Sequence, residues 1–194
     1  MSRNAIAREL KTQATILGLF VATFWVVEII DRVIFRGRLD LLGIIPHSFI
    51  GLRGILLAPF LHGGFPHLIA NTIPFLMLGW LVMLQETSDF FIVTLLTMLV
   101  GGFGVWLFAV PGTVHVGASI LIFGYLGFLL FRGYFQRNLP SILLSIIVGL
   151  LYGGLIWGVL PSNNGISWQG HLFGFLGGVL AARMIAREKR FYGK

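Results

Sequence analysis

The stretch His115-Val-Gly-Ala-Ser-Ile120 sets Ser119 among small residues at the head of a strongly apolar run. A hydroxyl taken out of water is costly unless something hydrogen-bonds it. Ser119 is therefore either a packing serine or a nucleophile. A nucleophile needs a base, and His171 stands at the head of another apolar run, "GHLFGFLGGVL". Imidazole takes a serine proton and returns it to a leaving amine. A third group comes from "LHGGFPHLIANT", where His67 and Asn71 are spaced i, i+4 and share one helix face. Neutral donors of this kind suit hydrogen bonding to an oxyanion. His62 falls in the turn before that helix. His115 falls in the irregular approach to Ser119, with no small-residue stripe to hold it close to the serine.

Other hydrolytic chemistries fit less well. The H-E-x-x-H pattern is absent, and no carboxylate lies near His62, His67, His115 or His171 in sequence. Asp31, Asp40 and Asp89 fall at span ends or in connections, so no pair of aspartates sits at membrane depth. No metal site and no cofactor is expected. With no cysteine, disulfides and thiolate metal sites are excluded.

The elements that must position these residues follow from composition. Of the 194 residues 57% are hydrophobic and 11% charged, and the mean hydropathy is +0.91. Apolar runs recur at about 20 residues, the length that spans a ~30 Å hydrocarbon core. This is an all-α, polytopic membrane helix bundle read as one domain over 1–194. Six spans are expected, about 12–34, 65–84, 89–110, 118–131, 141–160 and 168–186. A semi-apolar connection over about 35–61 lies in or near the interface. The first span is read as retained, not as a cleaved signal.

The net charge of +7 does not call for nucleic acid, because the basic residues cluster at span ends. With both termini cytoplasmic, the inside holds Arg3, Arg8, Lys11, Arg132, Arg137, Arg183, Arg187, Lys189, Arg190 and Lys194. The outside then holds Arg32, Arg36, Arg38 and Arg53, so ten against four favours N-in, C-in. In that topology the fourth and sixth spans both run outside to inside. Counted from Arg132, Ser119 lies about 20 Å up its helix; counted from Arg183, His171 lies about 18 Å up its own. The two share a depth. "VPGTVHVG" reaches that depth as non-helical chain, which is tolerated only where protein or a water-filled cavity surrounds it. A helix start there leaves N–H groups and a positive dipole end facing the cavity, which suits a developing oxyanion. Gly170, Gly174, Gly178 and Ala182 form a small-residue stripe that lets helix backbones approach closely. The glycines at 101, 102 and 104 are read as packing or kink sites, and Glu28 and Asp31 as interfacial charges.

Taken together, these residues resemble the rhomboid intramembrane serine proteases. The match rests on Gly117-x-Ser119, on His171 with Gly174 and Gly178, on His67-x3-Asn71, and on the long semi-apolar first loop, all in order. The resemblance covers essentially the whole chain as a six-span minimal form. It implies a Ser119–His171 dyad without a third acid, acting on a peptide bond of a membrane-embedded protein. It implies that His67, Asn71 and the Ser119 N–H form the oxyanion site, and that Phe123 stacks on His171. The family motif often continues with glycine after the serine, whereas here Ile120 follows; a tryptophan–arginine pair in the first loop is not clear either. The partners implied are transmembrane protein substrates and the lipid bilayer, with no metal and no nucleic acid. A bacterial plasma membrane is the expected location, from the short chain without added domains or transit peptide. A rhomboid-like protein that binds membrane helices without cleaving them is the alternative, with Ile120 as its support. A channel or transporter would call for inverted repeats or several midplane ionisable groups, and neither is evident.

Overall fold

A computed structural model describes residues 2–161 and 166–192, the side chains of 189–192 excepted. Residues 162–165 of the last connection, Lys194, and the side chains of Lys189 and Arg190 counted above lie outside the described residues. The chain folds as α1 (Arg3–Ile30), α2 (Gly54–Leu57), α3 (Phe65–Met83), α4 (Thr87–Phe108), α5 (Ser119–Gln136), α6 (Leu139–Tyr152) and α7 (Trp168–Tyr192). The described residues form no strand beyond one isolated bridge, Ile44 with His115. All six expected spans are helical. Among the described residues five segments are long and apolar enough to cross a membrane: Arg3–Phe35, Phe65–Met83, Thr87–Phe108, Ser119–Gln136 and Leu139–Val159. This is a multi-pass integral membrane architecture.

The bundle is organised around α5. Residues 120–129 of that helix are buried on every side, whereas α1 and α6 turn most of their surface outward. Helix α7 packs on α5 through glycine. A Cβ on Gly174 would strike the Ile120 carbonyl oxygen, one on Gly178 the Gly124 carbonyl oxygen, and one on Gly127 the Phe175 carbonyl oxygen. The two backbones therefore touch, the contact that lipid-embedded helices gain from small residues. On the opposite flank Phe24, Phe75, Phe90 and Tyr125 form an aromatic cluster joining α1, α3, α4 and α5. The Tyr125 hydroxyl is paired with Thr94 Oγ1 at 2.8 Å.

Several boundaries and charges depart from the sequence reading. Helix α1 begins at Arg3, nine residues before the expected 12, because its amphiphilic start is capped by Ser2 and continues the same helix. Helix α5 runs to Gln136, past the expected 131, because Arg132 is not at an interface. Its guanidinium is 0% exposed, lies 2.8 Å from Asp89 Oδ2 and donates to Gln85 Oε1 and Gln136 Oε1. It also stands over the Phe128 ring. The depth count from Arg132 loses its marker, and the common level of Ser119 and His171 rests on their shared cavity instead. Glu28 and Asp31 are likewise buried, not interfacial. Glu28 pairs with Arg32 at 2.7 Å, and Asp31 Oδ1 accepts from Leu39 N–H at 2.8 Å. Arg32 also reaches Asp40 and the His62 carbonyl, so one guanidinium ties the end of α1 to the long first loop. Burial, with Asp31 close by, pushes the Asp40 carboxyl up to about 6 against the pull of Arg32.

Around Arg132 the network continues through Gln85 to Ser141 and from Ser141 to Gln136, joining α3, α5 and α6. Removing the cation from a buried pair typically costs about 3–5 kcal/mol. Arg132→Met should therefore lower the free energy of unfolding in detergent by that order, and adding Asp89→Leu should recover most of the loss. Unchanged stability in the single variant would show that the buried pair is not a structural tie.

Candidate active site

Residues 109–118 climb to the head of α5 as irregular chain, held at fixed points. His115 exchanges both backbone hydrogen bonds with Ile44, at 2.9 and 3.0 Å. Gly117 N–H donates to the Ala58 carbonyl at 2.8 Å, and Ala118 N–H donates to His62 Nε2 at 3.5 Å. Gly117 has φ +120, a backbone region that glycine tolerates. A Cβ there would also lie 2.7 Å from His67 Cε1. Two constraints thus converge on one glycine. Helix α5 starts at Ser119 with no partner for the Ser119 N–H among the described residues.

His171 sits one turn inside α7 and is 7% exposed. Its Nδ1 lies 2.9 Å from the Gly158 carbonyl. A carbonyl only accepts, so Nδ1 carries the hydrogen and Nε2 keeps its lone pair. Phe123 stacks on the imidazole with centroids 4.0 Å apart and planes at 9°. That ring is the one the resemblance implied. Ser119, His171, Phe123, His67 and Asn71 all line one cavity of about 550 Å³. No hydrogen bond joins Ser119 and His171 among the described residues.

The donors on α3 face the same space. Gly63 N–H donates to His67 Nδ1 at 3.4 Å, which leaves the hydrogen on Nε2. Asn71 Nδ2 is buried and has no hydrogen-bond partner among the described residues. An unpaired buried amide is expensive to keep. Here it lies 3.6 Å from where a Gly117 Cβ would be, at the foot of the serine helix.

Ile120 does not crowd α7. Its side chain points between Gly101 of α4 and Gly170 of α7, where added Cβ atoms would lie 2.6 and 3.1 Å from it. Gly101 is a packing glycine. The β-branched residue after the serine is housed by space on two neighbouring helices.

Two contributors escape the sequence reading, Gly158 and Ser167. Gly158 supplies a carbonyl, which no side-chain pattern announces. His62 lies in the connection before α3, as expected, and is 1% exposed there with Ala118 N–H on its Nε2. Ser167 caps α7 by accepting from Gly170 N–H, and its own hydroxyl donates to His115 Nδ1 at 2.7 Å. His115 is therefore a hydrogen-bonded neighbour of Ser167, and its other nitrogen meets Thr113 Oγ1 at 2.8 Å. Burial lowers the His115 pKa. No group of three or more His, Cys, Asp or Glu able to hold a metal occurs among the described residues.

Residues 51–188 match the model of the Rhomboid domain. The chain belongs to the rhomboid family. It is 42% identical over 184 residues to an uncharacterised protein of Mycobacterium tuberculosis, covering 91% of this chain and 76% of that one. An uncharacterised Mycobacterium leprae protein is 42% identical over 179 residues, 88% of this chain and 70% of that one. A Bacillus subtilis protein named "Putative rhomboid protease YdcA" is 33% identical over 131 residues, 66% of this chain and 65% of that one. In this rhomboid chain the matched region takes in α3 to α6, α7 as far as residue 188, and every residue that lines the cavity.

His62 gives a pH test. Burial first, and His67 second, bring its pKa down to about 3 against the Phe60 carbonyl, from an ordinary 6.5. The unfolded chain then binds the extra proton between about pH 6.5 and 3, so stability is full above 6.5 and falls with acidification. The slope from this group is about 1.4 kcal/mol per pH unit. His62→Phe, which keeps a ring beside Phe24, should flatten the measured slope below pH 6.5 by that amount. An unchanged slope would mean that His62 is not held neutral in the fold.

Proposed function

We propose that this protein is an intramembrane serine endopeptidase with Ser119 as nucleophile and His171 as base. The observation that carries the reading is the imidazole of His171, stacked on Phe123 and tied through Nδ1 to Gly158, with Ser119 on the wall of the same cavity. Six spans with both termini on the cytoplasmic side fit the six long helices and the distribution of basic residues. A bacterial plasma membrane fits the bacterial relatives.

The chemistry proceeds in two halves. Ser119 Oγ attacks the scissile carbonyl carbon while His171 Nε2 takes the hydroxyl proton. The tetrahedral oxyanion accepts hydrogen bonds from Asn71 Nδ2, His67 Nε2–H and the Ser119 N–H, donors that are in place before charge develops. Collapse breaks the C–N bond, and His171 passes its proton to the leaving amine. Water then attacks the acyl-enzyme, with His171 again as base, and frees Ser119. No carboxylate orients the imidazole. The Gly158 carbonyl does so without adding a charge to a low-dielectric site.

Substrate has a place to lie. Because His115 spends both peptide groups on Ile44, strand alternation turns those of Val114 and Val116 to the opposite side. Both residues line the cavity, and neither shows a backbone hydrogen bond among the described residues. An extended segment can add to that edge through main-chain bonds. A helical segment cannot, since its peptide groups are already paired. The substrate is accordingly a membrane protein whose spanning helix opens locally near the cut. The space that Ile120 has at Gly101 and Gly170 supports the cleaving reading over helix binding without cleavage.

The deciding experiment is cleavage of a model single-span substrate by purified protein. Ser119→Ala and His171→Ala should abolish turnover, and Asn71→Ala should lower kcat by about 10²–10³-fold. His115→Ala, which removes the ring partner of Ser167 and Thr113, should stay within about tenfold of the parent. A parent protein inert to several substrates and to a serine-directed probe would overturn the reading in favour of helix binding without cleavage.

A further inference from the structure

Away from the cavity, three arginines converge where α5 ends beside the last turns of α7. Arg137 closes α5 in the left-handed conformation, and Arg183 and Arg187 stand one turn apart on α7. All three line a concavity of about 290 Å³ together with Tyr134. No carboxylate lines it, and none of the three guanidiniums has an ion pair or hydrogen bond among the described residues. By contrast, the guanidiniums of Arg32 and Arg132 each meet a carboxylate. The preference for basic residues on one side of a membrane accounts for how many arginines gather here. It does not account for their meeting in one hollow, where like charges repel unless an anion lies between them.

A second hollow of about 350 Å³ adjoins the first and shares Tyr134 and Arg137 with it. It runs between α5 and α6 past Gly133, Ile142 and Ile146, and its wall is almost wholly apolar. The Ser145 hydroxyl there is already engaged, donating to the Leu129 carbonyl and accepting from Gly133 N–H. A charged hollow continuous with an apolar one matches an amphiphile. Guanidinium forks pair well with phosphate oxygens, and basic pockets between membrane helices take lipid headgroups. We propose that this paired hollow binds an anionic glycerophospholipid, its phosphate on Arg137, Arg183 and Arg187 and one acyl chain along Gly133, Ile142 and Ile146. The adjoining groove is what selects a lipid over free phosphate. The site is independent of the chemistry at Ser119.

The test uses the full chain in nanodiscs of phosphatidylcholine with a minor fraction of phosphatidylglycerol, and reads the lipid retained on the protein by native mass spectrometry. Phosphatidylglycerol should be retained over phosphatidylcholine by roughly tenfold or more. The combined Arg137→Gln, Arg183→Gln and Arg187→Gln variant should lose that preference. The corresponding lysine variant, which keeps the charge, should hold part of it and serves as the folding control. Ile146→Trp, which fills the groove and leaves the arginines alone, should weaken retention of the lipid. Equal retention of the two lipids by the parent would overturn the proposal, as would a preference that survives the triple glutamine change. Displacement of phosphatidylglycerol by inorganic phosphate, with Ile146→Trp without effect, would also overturn it and leave a free-anion site.

Discussion

The contact between the backbones of α5 and α7 is the constraint from which the rest follows. Gly174 meets the Ile120 carbonyl and Gly178 meets the Gly124 carbonyl, so the helices sit closer than any side chain at those places would allow. Ser119 heads one of these helices, and His171 lies one turn into the other. Their separation is therefore set by backbone packing, which is stiff, and not by long side chains, which are not. In lipid no hydrophobic drive brings helices together. Surface fit has to do so, and glycine on both partners gives the most intimate fit.

That closeness has a cost elsewhere, because the chain must reach the head of α5 without helix. Peptide groups at membrane depth need partners, and those of residues 115, 117 and 118 find them in Ile44, Ala58 and His62. The first loop is thus part of the site's foundation. Its own position depends on Arg32, which joins Glu28, Asp40 and the His62 carbonyl. A run of charge-assisted and neutral hydrogen bonds leads from the end of α1 to the serine. The groups left over, Val114, Val116 and Asn71 Nδ2, face the cavity.

Much of this was legible in the residues. The six apolar runs gave the helices, since span length and hydropathy are properties of a segment by itself. The pairing of Gly117-x-Ser119 with His171 and its glycine stripe gave the cavity, because small residues at four-residue spacing state which helix faces meet. Arg132, Glu28 and Asp31 were misread for a common reason. A charge near a span end is interfacial by default, and only tertiary structure reveals Asp89 beside Arg132 or Leu39 N–H beside Asp31. Gly158 could not be seen at all, as the functional atom there belongs to the backbone. The space that receives Ile120 was not legible, because Gly101 lies on a helix distant in sequence.

Helix α6 is the least embedded of the long helices, and its polar ties through Ser141 and Ser145 lie in its first two turns. Its far end narrows into a 3₁₀ stretch that carries Gly158, and Gly158 holds the imidazole of His171. Val148, buried in the third turn of α6, also holds the helix to the bundle. The carbonyl that fixes the ring hydrogen of His171 is thus carried by the segment that follows the most outward-facing of the long helices.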